Sequence, residues 1–324
     1  MNERYARQMV LPEVSAAGQD KLFHATVLVI GAGGLGCAAL SYLGAAGVKQ
    51  LIILDHDKVE ESNLHRQPTY GMADIGRLKV FAMREALLRG NPMLQITAVA
   101  EKLTPANVAR WINAADIIVD AADSFVVTYT LSDACRGTNK CLISASVLGF
   151  MGYVGAFCKD APSYRAVFPD LPHQGATCVE LGVLGPVVGV LGTLQAQLVL
   201  STLLELEPSA CGRLISVDLR NFRFGGFDFT NAPEPDVSGV QFIDPSQLQE
   251  NDCVIDLRSS MEAPVMLRPD ALRVSPQELA QGDSWLAHEQ RIILCCRSGV
   301  RAWRAARTLQ QQGHKNLALI ALGM

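Results

Sequence analysis

Residues 26–46, TVLVIGAGGLGCAALSYLGAA, constrain this chain more than any other stretch. An aliphatic run from Thr26 to Ile30 breaks into a turn holding Gly31, Gly33, Gly34 and Gly36, and a helix-forming run follows, closed by Gly47. A strand that turns through glycines into a helix is the opening unit of a doubly wound sheet. The bare backbone there can approach a phosphate, and the helix N-terminus adds N–H donors and positive potential. Asp55 ends the next apolar run, nineteen residues beyond Gly36, where a carboxylate can accept from ribose hydroxyls. These residues leave the nucleotide open between a nicotinamide or flavin dinucleotide and ATP.

Strand–helix alternation continues through the first half. QLIILD (50–55), LQITAVAEKL (94–103), DIIVDAAD (116–123) and KCLISAS (140–146) read as strands. IGRLKVFAMREALLRG (75–90) reads as a helix stopped by Gly90-Asn91-Pro92. TPANVARWINA (104–114) reads as another, with Thr104 at the N-cap and Pro105 in the first helical position. The pattern predicts an α/β fold, a Rossmann-like, doubly wound, mostly parallel sheet. A polar stretch (159–182) and a long apolar helix follow. GRLISVDLRNFRFGGFDF then predicts an antiparallel extension turning around Gly225-Gly226. The apolar run from Gly185 to Leu206 carries no charge before Glu205, but its glycines, Pro186 and glutamines favour a buried helix over a membrane span. Residues 231–239 read as a linker, dividing a domain over 1–230 from a smaller strand–helix unit over 240–324.

The residues after Asp55 separate the two nucleotides. HDKVEESNLHRQ and IGRLKV place Asn63, Arg66 and Lys79 at the edge of the pocket, two cations where phosphates would lie. Hydride transfer has no need of them. Cleavage of ATP at the α-phosphate does, because charge builds on the equatorial oxygens and on departing pyrophosphate. Asp123, past the fourth strand, points to the same crevice and suits Mg²⁺, which takes one or two carboxylates plus substrate phosphates. The net charge of −4 gives no reason to expect nucleic acid. Nine cysteines with no CxxC pair, behind an N-terminus lacking a signal-peptide core, point to reduced thiols in the cytoplasm.

RYARQ (4–8), GAGGLG (31–36), DHDKVEESNLHRQ (55–67), IGRLK (75–79), NP (91–92), DAADSF (120–125) and TCVELGVLGPVVGVLGTLQA (177–196) occur in that order. As a set, over about residues 1–230, they resemble the ubiquitin-activating-enzyme-like adenylyltransferases of the molybdopterin-synthase and thiamine sulfur-carrier type. The resemblance implies ATP and Mg²⁺ as cofactors. Gly34, Asp55, Ser62, Asn63, Leu64, His65, Arg66, Lys79, Asp123 and Ser124 would be the nucleotide-contacting positions. It also implies a homodimer in which Arg7 reaches the neighbouring subunit's ATP. The substrate it implies is a small ubiquitin-fold sulfur-carrier protein whose C-terminal Gly-Gly is adenylated, with a cysteine-desulfurase-type protein as sulfur donor.

Departures from that pattern matter. Relatives hold a structural zinc with two CxxC pairs, but Ser163 and Ala166 stand at the first and PEPDVSG (233–239) has no cysteine at the second. No structural zinc is expected, and polar packing should join these segments. Asp-Ser-Phe replaces the family's Asp-Asn-Phe, and Thr128 stands where an arginine is expected. Loss of that cation could weaken catalysis and leave a carrier-binding scaffold, and an NAD-dependent oxidoreductase is the further alternative. Cys178 matches a position that forms a covalent carrier link in some relatives.

In the last unit, RIILCCRSGVRAWRAARTLQQQG (291–313) reads as strand, tight loop and amphipathic helix. Backbone N–H groups after Cys296, with Arg297 and Arg301, would stabilise a thiolate or persulfide. The unit resembles a rhodanese sulfurtransferase domain with Cys296 at the persulfide position, while Cys295 suits a buried strand-end thiol. MLRPDALRV replaces the family's His-Ile-Pro-Gly-Ala segment and the sequence stops at ALGM, so the domain reads as shortened.

Overall fold

The structure, a computed structural model, describes residues 3–171, 182–235, 240–281 and 290–323. It divides into two compact units. The first holds the residues up to Leu103, Asn107–Val167 and the stretch ending at Glu234; the second holds Thr104–Ala106, a stretch starting at Phe168, and the residues from Pro235 onward.

The first unit is built on eight strands: β1 (Thr26–Ile30), β2 (Gln50–Leu54), β3 (Gln95–Val99), β4 (Ile117–Asp120), β5 (Cys141–Leu148), β6 (Met151–Phe157), β7 (Arg213–Asp218) and β8 (Arg223–Asp228). Their order is β3-β2-β1-β4-β5-β6-β7-β8. The first five are parallel and the last three antiparallel. Val27–Ile30 are buried on both faces, which is why β1 reads as an unbroken aliphatic run rather than an alternating one. Ile30 pairs with Leu54 on one side and Asp120 on the other, so the carboxyl ends of β1, β2 and β4 lie level where the strand order reverses. Ligands of doubly wound sheets bind at that reversal.

The longer helices of this unit are α1 (Ser15–His24), α2 (Gly34–Ala46), α3 (Lys79–Gly90), α4 (Val108–Asn113), α5 (Phe125–Thr138) and α6 (Gly185–Leu203). Gly47 closes α2 in the left-handed conformation, φ 89°. Helix α6 is long and apolar enough to cross a bilayer. In the fold it buries Val187, Val188, Leu191 and Val199, and a Cβ at Gly192 would lie 2.5 Å from the Leu35 carbonyl of α2. The buried Gln195 of α6 donates to the Asp120 carbonyl at 2.7 Å.

Three local expectations are corrected, and one strand is added. Helix α3 starts at Lys79 rather than Ile75, because Leu78 is extended and bridges to Lys58, and the Lys79 N–H donates to the Asp57 carbonyl at 2.9 Å. Helix α4 is capped by Asn107, not Thr104; the Thr104 hydroxyl accepts from the Ala106 N–H in a local turn that competes with helix. The β7–β8 turn lies at Leu219–Phe222, where the Asp218 carboxylate accepts from the N–H groups of Arg220 and Asn221, and Gly225-Gly226 sit inside β8. Strand β6 went unread, since Gly152 and Gly155 dilute its strand signal.

The second unit has a five-stranded, wholly parallel sheet in the order β11-β10-β12-β13-β9. The strands are β9 (Gln241–Phe242), β10 (Cys253–Asp256), β11 (Leu272–Arg273), β12 (Ile292–Cys296) and β13 (Leu317–Ala321), with helices α7 (Pro276–Gln281) and α8 (Val300–Gln311). The central β12 is buried along its whole length, and α8 buries Ala302, Trp303, Ala305, Ala306 and Leu309 on one stripe.

Candidate active site

The glycine loop is fastened before any ligand is considered. The Gly31 N–H donates to the Leu54 carbonyl at 2.8 Å, and Gly31 adopts φ 98° with Ala121 packed against it. A Cβ at Gly36 would lie 2.0 Å from the Gly31 carbonyl, so these two glycines are required by the turn itself. Gly33 precedes the first turn of α2, and a Cβ at Gly34 would strike Val188 of α6. Tyr70 donates its hydroxyl to the Ala32 carbonyl at 2.7 Å and so braces the loop from below.

Asp55 lies where β2 ends, and both its carboxylate oxygens are engaged. One accepts from the Ala32 N–H and the other from the Asp57 N–H, each at 2.7 Å. It is only 9% exposed; burial pushes its carboxyl up, against the Lys79 cation and the two N–H donors. The Lys79 ammonium, buried at the start of α3, donates to the Asp57 carboxylate at 2.9 Å. Burial raises the Asp57 carboxyl, but the Lys79 hydrogen bond and charge outweigh it and hold the group below its ordinary range. The Asp57 carboxylate that holds Lys79 sits two residues past Asp55 in DHD, but nothing local in the sequence assigns it to that lysine.

The Ser62–Arg66 run forms a tight turn beside the loop. Asn63 is buried and donates to the Ser62 hydroxyl at 3.1 Å, while Leu64 packs onto the core. Arg66 is half-buried, donates to the Ser62 carbonyl at 3.1 Å and lies 2.8 Å from the His65 ring nitrogen. Past β4, Ser124 precedes α5 and its carbonyl accepts from the Thr128 N–H at 3.0 Å. Asp123 is exposed, and its carboxylate accepts no hydrogen bond among the described residues.

Asp120, passed over in sequence, is the buried polar centre of this end of the sheet. It accepts from the hydroxyls of Thr128 at 2.6 Å and Ser144 at 2.8 Å, and from the Ala122 N–H at 3.2 Å. Burial pushes its carboxyl up to about 6, against those donors. Thr128, standing where an arginine was expected, therefore serves Asp120. Arg7 sits exposed on the turn Ala6–Met9, and no hydrogen bond among the described residues links it to the glycine loop. Cys178 lies outside the described residues.

The segments that would have carried zinc cysteines are joined by a carboxylate. Glu234 accepts from the Ser163 N–H at 2.6 Å and its hydroxyl at 2.7 Å, with Arg136 at 3.3 Å.

In the second unit Cys296 ends β12, fully buried, and its sulfur accepts from the Ala302 N–H at 3.4 Å. Gly299, φ 83°, turns the loop into α8. Arg301 forks onto Glu262 and also reaches the Leu257 carbonyl at 3.1 Å, so its charge is shared rather than free. Arg258 forks onto the buried Asp256. Burial pushes the neighbouring Cys295 thiol up to about 12, as for a core cysteine.

Residues 5–238 of the chain match the ThiF family. The chain belongs to the ThiF family. Residues 243–324 match the rhodanese-like domain, so the second unit follows the ThiF region as the strand–loop–helix around Cys296 implied. A Bos taurus adenylyltransferase and sulfurtransferase, MOCS3, is 44% identical over 218 residues, 66% of this chain and 48% of that protein. The chain thus spans about half the length of that relative. The SAMP-activating enzyme E1 of Haloferax volcanii is 35% identical over 245 residues, 75% of this chain and 90% of that protein. The probable adenylyltransferase/sulfurtransferase MoeZ of Mycobacterium tuberculosis is 29% identical over 96% of this chain and 88% of its own. Among solved structures, E. coli MccB with ATP superposes with a TM-score of 0.63 at 22% identity, over 74% of this chain and 75% of that one. That likeness shows the ThiF fold.

Proposed function

We propose that this chain uses ATP to adenylate the C-terminal glycine of a small ubiquitin-fold sulfur-carrier protein, and that Cys296 then delivers sulfur to give a thiocarboxylate. The observation that carries the reading is the buried Lys79 ammonium, paired with the half-exposed Asp57 carboxylate, beside a glycine loop at the strand-order reversal. The names of the bovine, archaeal and mycobacterial relatives support it. Rossmann-like loops for dinucleotides need no such cation, which disfavours the oxidoreductase.

In this reading the carrier's terminal carboxylate oxygen attacks the α-phosphorus, forming the acyl-phosphate bond as the bond to pyrophosphate breaks. The triphosphate competes with Asp57 for the Lys79 ammonium, which then neutralises charge on the equatorial oxygens, and Arg66 adds a second cation from the exposed side. Asp55 holds the loop and keeps lone pairs for ribose hydroxyls. The exposed, unbonded carboxylate of Asp123 fits Mg²⁺, which would neutralise the leaving pyrophosphate. No protein nucleophile is needed, because positioning and charge supply the rate. The enzyme works as a homodimer in which the exposed Arg7 reaches a second copy's nucleotide, and it needs no structural zinc because Glu234 joins the two segments. A cysteine-desulfurase-type protein charges Cys296 as a persulfide; its outer sulfur attacks the carrier's acyl carbon as AMP leaves, and a second thiol then attacks the Cys296 sulfur, forming a disulfide with it and releasing the thiocarboxylate.

One observation favours a second reading. Thr128 removes a cation and turns inward to Asp120, which suits a scaffold that binds the carrier without activating it. Carrier-dependent exchange of pyrophosphate into ATP separates the two. Exchange with one Gly-Gly-ending carrier, abolished in Asp123→Ala, supports the enzyme; silence across a broad carrier panel supports the scaffold.

A further inference from the structure

Cys141 and Cys211 flank the far end of β6, at the opposite end of the strands from the glycine loop. Cys141 is the first residue of β5, and Cys211 reaches Ala156 of β6 through an isolated bridge just before β7. Their sulfurs stand 3.8 Å apart, close enough for a bond after a small side-chain rotation. The two differ in access, Cys141 being buried and Cys211 half-buried. We propose that Cys141 and Cys211 form a peroxide-sensitive dithiol, with Cys211 as the attacking thiol and Cys141 as the resolving one.

The surroundings assign these roles. The hydrogen bond from the Cys141 thiol draws Cys211 down to about 7 against its burial, helped by the Lys159 cation and the Ser209 hydroxyl, with Asp160 opposing. That same hydrogen bond and burial hold Cys141 well above its ordinary range, with Cys158 and Cys135 nearby. Burial holds Cys158 up at about 12. Of these thiols, Cys211 is the one thiolate-forming and reachable group, the condition for a reactive cysteine. The Cys211 thiolate attacks the terminal oxygen of a hydroperoxide, forming an S–O bond as the O–O bond breaks and the alkoxide leaves to take a proton. The Cys141 sulfur then attacks the sulfenic sulfur, the S–S bond forms, and water leaves with the Cys141 proton. Two thiols lose two electrons in all, and one hydroperoxide becomes an alcohol and water.

The test uses the full chain, purified reduced, treated with hydrogen peroxide at neutral pH and digested without reduction for mass spectrometry. The expected result is a Cys141–Cys211 cross-link reversed by dithiothreitol and lost in Cys211→Ser. In Cys141→Ala, Cys211 should persist as a sulfenic acid captured by dimedone. Without peroxide, iodoacetamide should alkylate Cys211 at neutral pH about tenfold faster than an unperturbed thiol. Cross-links made by other cysteine pairs, equal dimedone capture with and without Cys141, or alkylation no faster than an unperturbed thiol would each overturn the proposal.

Discussion

Lys79 is held in a buried place because Asp57 accepts from its ammonium, and Asp57 is half exposed and stays partly solvated. Lys79→Met should therefore leave the fold intact while lowering carrier-dependent pyrophosphate exchange by roughly 100- to 1000-fold, the usual cost of one positioned charge-stabilising donor. Exchange within a few-fold of the parent would remove Lys79 from the mechanism. Asp120 is the second residue that decides something. Its carboxyl is raised by burial, so its contribution to stability is present below about pH 4 and lost as the pH rises through about 6. The Thr128 hydroxyl stabilises the ionised form, so Thr128→Val should move the Asp120 midpoint above about 6, and Thr128→Ser should restore it. Carboxyl-carbon NMR reads this directly, and an unmoved midpoint in the valine variant would break the Thr128–Asp120 link.

Elements in the first unit are held by polar clips as much as by apolar packing. Glu234 fastens the end of the unit to the helical turn after β6 through two hydrogen bonds from Ser163 and an ion pair with Arg136. Since Glu234 is partly exposed, Glu234→Ala should cost about 1–3 kcal/mol locally. Amide exchange around Ser163 should then quicken by roughly tenfold to hundredfold, and a strong chelator should change nothing in the parent protein. A chelator that accelerates exchange there would mean that a metal, not Glu234, holds the segment. Helix α6 shows the opposite balance. Its apolar run was legible because it is buried, and Gln195, which looks like an interruption in the sequence, is the group that satisfies the Asp120 carbonyl.

At the scale of the whole chain, the parallel half of the sheet was readable because β1, β2 and β4 are buried on both faces and alternate with helices punctuated by glycine. Strand β6 was not, because its glycines carry no strand signal and its place is set by pairing with β5 and β7. The site divided along the same line. Gly31, Gly36, Asp55 and Lys79 could be found from local spacing, whereas Asp57, Tyr70 and Asp120 owe their roles to contacts between segments far apart in sequence, as when Tyr70 meets Ala32 or Asp120 meets Ser144. In the proposed reaction a carrier's terminal carboxylate opens ATP at its α-phosphate. This step is tested most directly by incubating the chain, a Gly-Gly-ending carrier and magnesium with ATP labelled at the α-phosphate, and following the label onto the carrier. Labelled AMP is expected on the carrier's terminal glycine, and none on a carrier lacking that residue. Release of ADP and phosphate, with the carrier unlabelled, would contradict it.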